Sequence, residues 1–268
     1  MKAACSVPIL TLNSRPGLER LLPLLLPVFD DVFIIDGNST DGTREYAASL
    51  GLRVEDQFTH QEPNALIQDF SKIRERSWSL AHHDWIFYLD SDEWPTQELL
   101  QEVARITEGN KVSTVHEFTR KACLPGGEAV ESAFFYPEYC LRLFARSSGV
   151  RLRDRPVHER LVLPEGVATE RHDQHFYAQW PDPVTFWKKQ KKYLALEESL
   201  PTGGSLGWFL RWGIAYNVTM LLKQSIRSLI LGCSSLFSAK KRLPWVYVRS
   251  LLLYRVLSIQ SVYRAWKK

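Results

Sequence analysis

The stretch Asp84-Trp85-Ile86-Phe87-Tyr88-Leu89-Asp90-Ser91-Asp92-Glu93-Trp94 is an apolar run that ends abruptly in three acidic residues. The run predicts a buried strand, and strand geometry would place Asp90 and Asp92 on the same face, with Ser91 pointing away. Two carboxylates this close repel each other unless a cation lies between them. Because open α/β sheets bind ligands at the carboxyl ends of their strands, the stretch indicates a divalent cation holding a phosphorylated substrate.

A structural alternative for the same residues is a helix cap. Ser91, Asp92 and Thr96 have side chains that suit the cap of a helix, and Pro95 suits its first turn. That interpretation requires no metal ion.

A second strand exit lies upstream, in Asp31-Val32-Phe33-Ile34-Ile35-Asp36-Gly37-Asn38-Ser39-Thr40-Asp41-Gly42-Thr43. Val32 to Ile35 predict a short buried strand, and a turn-forming sequence follows Asp36. Asp36 would therefore stand at the carboxyl end of its strand, as Asp90 does. Taken alone, Asp36 could simply bond the amides of its own turn.

The two segments together resemble the inverting nucleotide-sugar glycosyltransferases of family 2, which have the GT-A fold. Within that family the chain is most similar to the lipopolysaccharide-core β-glucosyltransferase branch. The Leu-Asp-Ser-Asp-Glu form of the acidic motif, Pro-Val-His-Glu at 156–159 and a later His-Phe-Tyr support this branch. The resemblance covers about residues 5 to 200. Gly37 and Asn38, which follow Asp36, depart from relatives that have an acidic residue or serine there.

The resemblance implies a binding site for a nucleotide-sugar donor, with UDP as the expected nucleotide. Asp36 would recognise the base or ribose together with Thr11 and Asn13 at the exit of the first strand. Arg74 would meet the diphosphate, although it could also lie on a solvated helix face. Asp90 would contact the ribose or the metal.

The cofactor that we expect is Mg²⁺ or Mn²⁺, because hard divalent cations bind carboxylates and substrate phosphates. Asp92 is the preferred direct ligand, with Asp90 beside it. A later histidine completes such a site in relatives; His175 matches best and His172 is the near alternative. His175 could equally be a partly buried structural imidazole.

Inverting displacement at the anomeric carbon also requires a base for the acceptor hydroxyl. Glu159 is the preferred base, because the resemblance places residues 156–159 on the acceptor side. His158 would orient Glu159 or act as the base itself. Glu138 and Glu93 are rivals.

Apolar and helical patterns predict βαβ units and therefore an α/β fold with a mostly parallel, mixed sheet flanked by helices. The expected strands are Cys5–Leu12, Val32–Asp36, Leu52–Glu55, Trp85–Asp90, Lys111–Phe118 and Phe134–Phe144. The expected helices are Gly17–Leu26, Asp41–Leu50, Ala65–Ala81 and Pro95–Ile106.

The charge changes sharply after residue 200. Residues 201–268 hold 11 of the 34 basic residues of the chain and none of the 30 acidic ones, interspersed with Trp, Tyr, Leu and Ile. We therefore expect a catalytic domain at 1–200 and a basic helical appendage at 201–268 that attaches to a membrane surface without spanning it. Packing of this segment on the catalytic domain is the main alternative. Nucleic acid is not an expected partner, since no recognised nucleic-acid module is present.

The expected acceptor is a hydroxyl of a lipid-linked glycan such as the lipopolysaccharide core. Transfer to a polyprenyl phosphate, or a sugar-nucleotide-binding membrane partner without catalysis, are the alternatives. Because the chain enters a core strand directly and shows no secretory signal, we expect the cytoplasmic side, peripheral on the inner face of the cell membrane. Cys5, Cys123, Cys140 and Cys233 are too scattered to predict a cysteine zinc site or a disulfide framework.

Overall fold

The computed structural model describes residues 2–59, 62–65, 67, 69–109, 111–152, 161–199, 205–233 and 240–267. These residues form two compact units. The first comprises Met1–Arg120 and Glu138–Ala178, and the second comprises Lys121–Pro137 and Gln179–Lys268. The segment 201–268 thus lies within a larger second unit, and its assignment as a separate appendage stays a prediction.

Strands and helices alternate in the first half of the chain. The strands are β1 (Ala3–Thr11), β2 (Phe29–Asp36), β3 (Arg53–Asp56), β4 (Trp85–Phe87), β5 (Leu89–Asp90), β6 (Glu93–Pro95), β7 (Thr114–Cys123), β8 (Tyr139–Ala145), β9 (Arg151–Leu152), β10 (Leu161–Val162) and β11 (Ala168–Gln179). The helices are α1 (Arg15–Leu25), α2 (Thr43–Ser49), α3 (Phe70–Ser79), α4 (Gln97–Thr107), α5 (Pro183–Ser199), α6 (Leu206–Trp208), α7 (Tyr216–Cys233) and α8 (Trp245–Lys267), with a 3₁₀ turn at Arg146–Ser148 and a π-helical stretch at Phe209–Ala215.

Within the described residues the main sheet has nine strands in the order β3-β2-β1-β4-β8-β7-β11-β6, with β5 paired to β1. Strands β1 to β5 pair in parallel with one another. The pairs β4–β8, β7–β8 and β6–β11 are antiparallel. Helices α1 and α2 follow β1 and β2, because parallel neighbours require crossover connections. The prediction of an α/β fold, with a mixed sheet flanked by helices and further helices at the C-terminal end, is confirmed.

Strand β4 and its continuation are buried on both faces, as their unbroken apolar sequence predicts. Trp85, Phe87 and Leu89 belong to one core cluster, which also contains the buried residues of α1 and α4. Ile86 and Tyr88 belong to a second cluster that contains the apolar residues of α3. The apolar run therefore separates two helical layers and directs its polar end to the edge of the sheet.

The start of α4 differs from the prediction by two residues. Pro95 is part of β6, which pairs with β11, so the backbone there is extended. Thr96 caps the helix by accepting a hydrogen bond from the Leu99 amide (3.3 Å). The helix-cap interpretation was therefore correct for Thr96, whereas Ser91 and Asp92 lie in the preceding turn.

The second unit has its own core, in which Phe186 and Tyr247 pack edge-on with ring centroids 5.2 Å apart. The Tyr247 hydroxyl donates to the Pro181 carbonyl (2.9 Å). In the part of the chain that the structure describes, no helix combines the length and the apolar character needed to cross a membrane.

Candidate active site

Three loops meet at the carboxyl edge of the parallel strands. The loop after β1 contacts the loop after β2, because the amides of Asn13 and Ser14 donate to the hydroxyls of Ser39 and Thr43 (both 2.8 Å). The Ser91 hydroxyl donates to that of Ser14 (2.9 Å), which joins the turn of the acidic motif to the same assembly. The fold thus brings the two sequence motifs together.

Asp36 is completely buried within this assembly. Its carboxylate accepts hydrogen bonds from the Thr11 hydroxyl (2.7 Å) and from the amide and hydroxyl of Ser39 (2.8 and 2.7 Å). Arg44 approaches it at 3.4 Å. Asp36 and the buried Thr11 therefore organise the loop from within, as the turn-bonding alternative expects. Their contact with a nucleotide stays a prediction, while Asn13 is exposed.

Gly37 follows Asp36 at a point where backbones approach closely. A Cβ there would meet the Ala65 carbonyl oxygen at 2.7 Å, so a larger residue would displace that segment. The buried Gln57 lies beneath Gly37 and donates from Nε2 to the Thr11 carbonyl (3.1 Å). Among the described residues its Oε1 has no hydrogen-bond partner, which leaves a buried acceptor next to the predicted base site.

The acidic motif bends where an uninterrupted strand was predicted. Strand β5 ends at Asp90, Ser91 and Asp92 form a turn, and Glu93 begins β6. The expectation that Asp90 and Asp92 alternate along one strand is therefore wrong, although both remain at the sheet edge. Asp92 is exposed, the Asp90 side chain is 37% exposed and Glu93 is buried.

Arg74 and Arg142 surround Asp90 with positive charge. Arg74 donates to Asp90 at 2.8 Å, and an Arg142 nitrogen lies 3.9 Å from the other carboxylate oxygen. Burial acts to raise the pKa of Asp90, but the two guanidinium groups outweigh it and hold that pKa well below its usual range. Asp90 is therefore ionised at neutral pH.

Glu93, one of the rival bases, is bound inside the protein. Its carboxylate accepts from Arg142 (2.6 Å) and from the Asp90 amide (3.1 Å). Burial raises the pKa of Glu93 to about 7; Arg142 opposes the rise, and Asp90 and Asp92 reinforce it. At 2% exposure Glu93 positions Arg142 and is not open to an acceptor.

A cavity of about 240 Å³ adjoins this charge cluster. Arg74, Tyr88 and Arg142 line it together with Cys140, Leu141, Leu152 and Leu161. The Arg74 guanidinium lies 5.1 Å from the centre of the Tyr88 ring. The helix-face alternative for Arg74 is therefore wrong, because its side chain is 9% exposed and points to Asp90.

His175 lies on the strand that pairs with the segment after the acidic turn. The register pairs Tyr177 with Trp94, and the Thr96 amide donates to the His175 carbonyl (3.2 Å). The His175 backbone is therefore next to Thr96. The Nε2 atom of His175 lies 3.1 Å from the Tyr177 hydroxyl. A metal-binding role for His175 stays a prediction.

The alternative histidine, His172, is buried on β11 beside Glu102 and His116. Burial lowers the pKa of His116 to about 4, and His172 contributes to the decrease. The ligand atoms of His116, Glu170 and His172 lie within 4.8 Å of one another. Sequence reasoning did not bring His116 and Glu170 into consideration, since no short motif connects β7 with β11.

The candidate base Glu159 and its neighbour His158 lie outside the described residues. Glu138, the other rival base, forms a two-point pair with Arg120 (2.6 and 3.0 Å).

The family comparison covers this loop assembly. The model of glycosyl transferase family 2 matches residues 6–123, which is less than half of the chain. The matched segment is therefore similar to family 2 glycosyl transferases. It runs from within β1 to the end of β7 and contains Asp36, Arg74, Asp90 and Asp92.

Individual relatives are distant from this chain. An uncharacterized glycosyltransferase of Rickettsia typhi is 24% identical over 165 residues, which are 59% of this chain and 53% of that protein. The chain thus spans about half the length of the curated relative that it matches. The lipopolysaccharide-core branch stays a prediction.

Two solved structures align with this chain at low identity. S. aureus TarS 1-349 in complex with UDP-GlcNAc aligns with 100% of this chain and 91% of its own, at 13% identity and a TM-score of 0.45. Glucosyl-3-phosphoglycerate synthase from Mycobacterium tuberculosis in complex with Mn²⁺ and UDP-glucose aligns with 47% of this chain and 45% of its own, at 21% identity and a TM-score of 0.32.

Sequence reasoning missed two residues of the candidate site, Gln57 and Arg142. Gln57 follows β3 directly, and this position at the end of a parallel strand was a usable signal. Arg142 lies in the middle of β8 and carries no local signal. Only the pairing of β8 with β4 brings it to Asp90 and Glu93.

Gly17 in α1 sets the approach of this helix to the acidic turn. A Cβ at Gly17 would overlap the Ser91 carbonyl oxygen, a backbone atom that a side-chain rotation cannot move. We expect Gly17→Ala to lower the free energy of unfolding by about 1–3 kcal/mol, despite the better helix propensity of alanine. Urea unfolding measures this change.

The matched control for Gly17→Ala is Gly126→Ala, because a Cβ at Gly126 has nothing within 4 Å. The control should stay within about 0.5 kcal/mol of the wild type. Equal stability of both variants would show that α1 and the acidic turn do not pack as described.

Proposed function

We propose that this chain is a metal-dependent, inverting glycosyltransferase that transfers a sugar from a nucleoside-diphosphate sugar to a hydroxyl group. The observation that carries the proposal is the position of Asp90, Asp92 and Arg74. All three lie in the segment that matches the family 2 model, at the carboxyl edge of the parallel strands. This edge combines carboxylates suited to a hard cation with a guanidinium group suited to phosphate oxygens.

The donor set of the acidic turn fits Mg²⁺ or Mn²⁺. Asp92 is exposed, and Asp90 is partly exposed and ionised, so both offer the oxygen ligands that these cations prefer. When bound, the cation would neutralise charge on the departing diphosphate.

Arg74 is a preorganised partner for the diphosphate. One of its nitrogen atoms is held by Asp90, and a guanidinium group carries five N–H donors. Arg142 adds a second positive charge and is itself held by Glu93. The two carboxylates therefore hold the arginines in place without removing all of their donors.

The loops after β1 and β2 support recognition of the nucleotide. Asp36 and Thr11 fix the loop, and the exposed Asn13 borders it. The Oε1 atom of Gln57 is a buried acceptor beside Gly37 that has no partner among the described residues. An acceptor favours a base with a ring N–H, such as uracil, and UDP is therefore the nucleotide that we propose.

Glu159 is the proposed base for the acceptor hydroxyl. The two rivals are each engaged by an arginine, Glu93 by Arg142 and Glu138 by Arg120. His158 adjoins Glu159 and would orient it. Activation of a hydroxyl requires such a base, so the proposed acceptor group is a hydroxyl. We propose a lipid-linked glycan, such as a lipopolysaccharide core intermediate, because the basic segment 201–268 suits a membrane surface.

The proposed membrane contact uses helix α7. Its residues Val218, Leu222, Ile226, Leu229 and Ile230 are exposed, and at 100° per residue they lie within one arc of about 120°. Lys223 and Arg227 both lie beyond one edge of this apolar arc, so the helix has an apolar face next to a basic one, as a helix lying in a membrane interface does.

Anionic lipid matches the charge of this region, because residues 201–268 contain no acidic residue. We propose that three tryptophans, Trp208, Trp212 and Trp245, insert into the membrane interface. Trp245 is 67% exposed. The side chains of Trp208 and Trp212 are not among those that the structure describes. Peripheral attachment at the inner face of the cell membrane would place the enzyme next to its acceptor.

We expect the full chain to sediment with anionic vesicles, with an attraction that weakens as salt screens exposed charges over about 8 Å. A fraction should resist salt because apolar side chains insert. The variant Leu222→Gln/Ile226→Gln/Leu229→Gln should lower the salt-resistant partition about 100-fold or more, because each inserted side chain contributes about 1.5–3 kcal/mol.

The control for the vesicle experiment is Leu50→Gln/Val162→Gln, which removes exposed apolar side chains from the first unit. It should bind as the wild type does. If the wild type stays in the supernatant with anionic vesicles at low salt, the membrane proposal fails while donor binding is untouched.

Nucleotide binding is tested by thermal unfolding. UDP should raise the melting temperature more with Mn²⁺ or Mg²⁺ than with EDTA, because a ligand that binds only the folded state stabilises it by mass action. UMP, which lacks the second phosphate, is the matched ligand control and should give a smaller metal-dependent shift. Equal stabilisation by UDP with and without metal would contradict the assigned role of Asp92.

A further inference from the structure

A cluster of metal-ligating side chains lies away from the acidic turn. His116 on β7, together with Glu170 and His172 on β11, brings one ligand atom from each residue within 4.8 Å. His116 Nδ1 lies 3.0 Å from His172 Nε2 and 3.8 Å from a Glu170 carboxylate oxygen. Both histidines are buried and Glu170 is exposed, so the cluster opens to solvent on one side.

A second carboxylate orients the ligand atoms. Glu102 of α4 lies 3.2 Å from His172 Nδ1, and Arg105 holds Glu102 with two contacts (2.7 and 2.8 Å). When His172 donates its Nδ1–H to Glu102, its Nε2 carries a lone pair that points at His116 and Glu170. A carboxylate behind a ligating imidazole is the usual outer support of protein metal sites.

A hydrogen bond between the two histidines accounts for only part of this geometry. It would use His116 Nδ1 and His172 Nε2, but Glu170 at 3.8 Å is too distant to take part. His116 Nε2 is buried and has no partner among the described residues, so the cluster does not form a complete hydrogen-bond network. A cation would use all three converging atoms at once.

This cluster cannot share a cation with Asp90. The register places His116 opposite Leu143, and Leu143 opposite Phe87, three residues before Asp90. His116 and Asp90 are therefore separated by two inter-strand spacings across the sheet and three residues along a strand, which is about 14 Å between their backbones. The ring of His116 also lies 5.9 Å from that of Trp85, on the face of the sheet opposite to Tyr88.

We propose that His116, His172 and Glu170 form a second cation site, specific for a borderline-soft divalent ion, with Zn²⁺ as the best match. Two imidazole nitrogens and one carboxylate oxygen are zinc ligands, whereas Mg²⁺ prefers oxygen alone. Glu102 connects the site to α4, so the ion would tie this helix to β7 and β11. This site is separate from the one proposed for the sugar nucleotide.

The test uses the full chain after treatment with EDTA and removal of the chelator. Without UDP, Co²⁺, which replaces Zn²⁺ and absorbs in the visible, should give the d–d bands of a low-coordinate N/O site, fill one tight site per chain and be displaced from it by Zn²⁺. Glu102→Gln should weaken Zn²⁺ binding by about 10- to 100-fold. Glu170→Gln, which changes an exposed ligand without disturbing the core, should weaken it at least as much.

Glu165→Gln and His82→Gln are the matched controls, because both residues are exposed and remote from the cluster; they should bind Co²⁺ as the wild type does. UDP binding with Mn²⁺ should be retained in Glu170→Gln, which separates this site from the donor site. The proposal is overturned if the wild type takes up no Co²⁺ or Zn²⁺, or if Glu170→Gln gives the same bands and affinity as the wild type.

Discussion

Asp92→Asn is expected to lower turnover of the sugar nucleotide by about 10³-fold, because a catalytic cation supplies several kcal/mol of charge stabilisation. The exposed amide would keep the shape of the turn but lose the charge that holds the cation. Stability should be unchanged within about 0.5 kcal/mol, since Asp92 is exposed. Release of free UDP from the donor measures the rate, and urea unfolding measures stability.

Glu165→Gln is the control for Asp92→Asn, since it removes an exposed carboxylate in the same unit. It should turn over as the wild type does. Raising the Mn²⁺ concentration should recover part of the activity of Asp92→Asn if the variant has lost cation affinity. Unchanged turnover by Asp92→Asn at limiting metal would exclude Asp92 as a ligand.

Glu159→Gln is expected to lower turnover by about 10²- to 10⁴-fold, the usual contribution of a general base. Donor binding should stay nearly unchanged, because glutamine keeps the size of the side chain and the residue is assigned to the acceptor. Comparing kcat with the thermal shift by UDP and Mn²⁺ separates the two effects.

Glu138→Gln is the matched comparison, because Glu138 is the rival that pairs with Arg120. A loss of turnover in Glu138→Gln together with normal turnover in Glu159→Gln would exchange their roles. If neither variant loses turnover, the acceptor supplies its own negative charge, as a polyprenyl phosphate does.

Local patterns were sufficient to predict the strands and helices of the first hundred residues, whereas β9, β10 and β11 were not predicted. The first four strands were predicted within three residues at each end, because long apolar runs bounded by turn residues have few alternatives. The helix after the acidic motif starts two residues later than predicted. Pro95 suits a first helical turn, but pairing of β6 with β11 holds it extended. Strand pairing between distant segments has no local signature.

The acidic residues of the candidate site were predicted from the same local patterns. Asp36, Asp90 and Asp92 follow strands in the sequence, so their meeting at one sheet edge is a consequence of parallel topology. The burial of Asp36 required the approach of Thr11, which lies 25 residues away in another segment.

The sequence by itself determined the α/β class, the placement of acidic side chains at strand ends and the basic, acid-free composition of residues 201–268, because these depend on residue types and short periods. Tertiary structure alone decided that Arg142 meets Asp90 and Glu93, that the His175 carbonyl meets the Thr96 amide and that His116 meets His172. Those contacts join residues tens of positions apart. Their geometry depends on sheet order and register, which the packing of the whole unit selects.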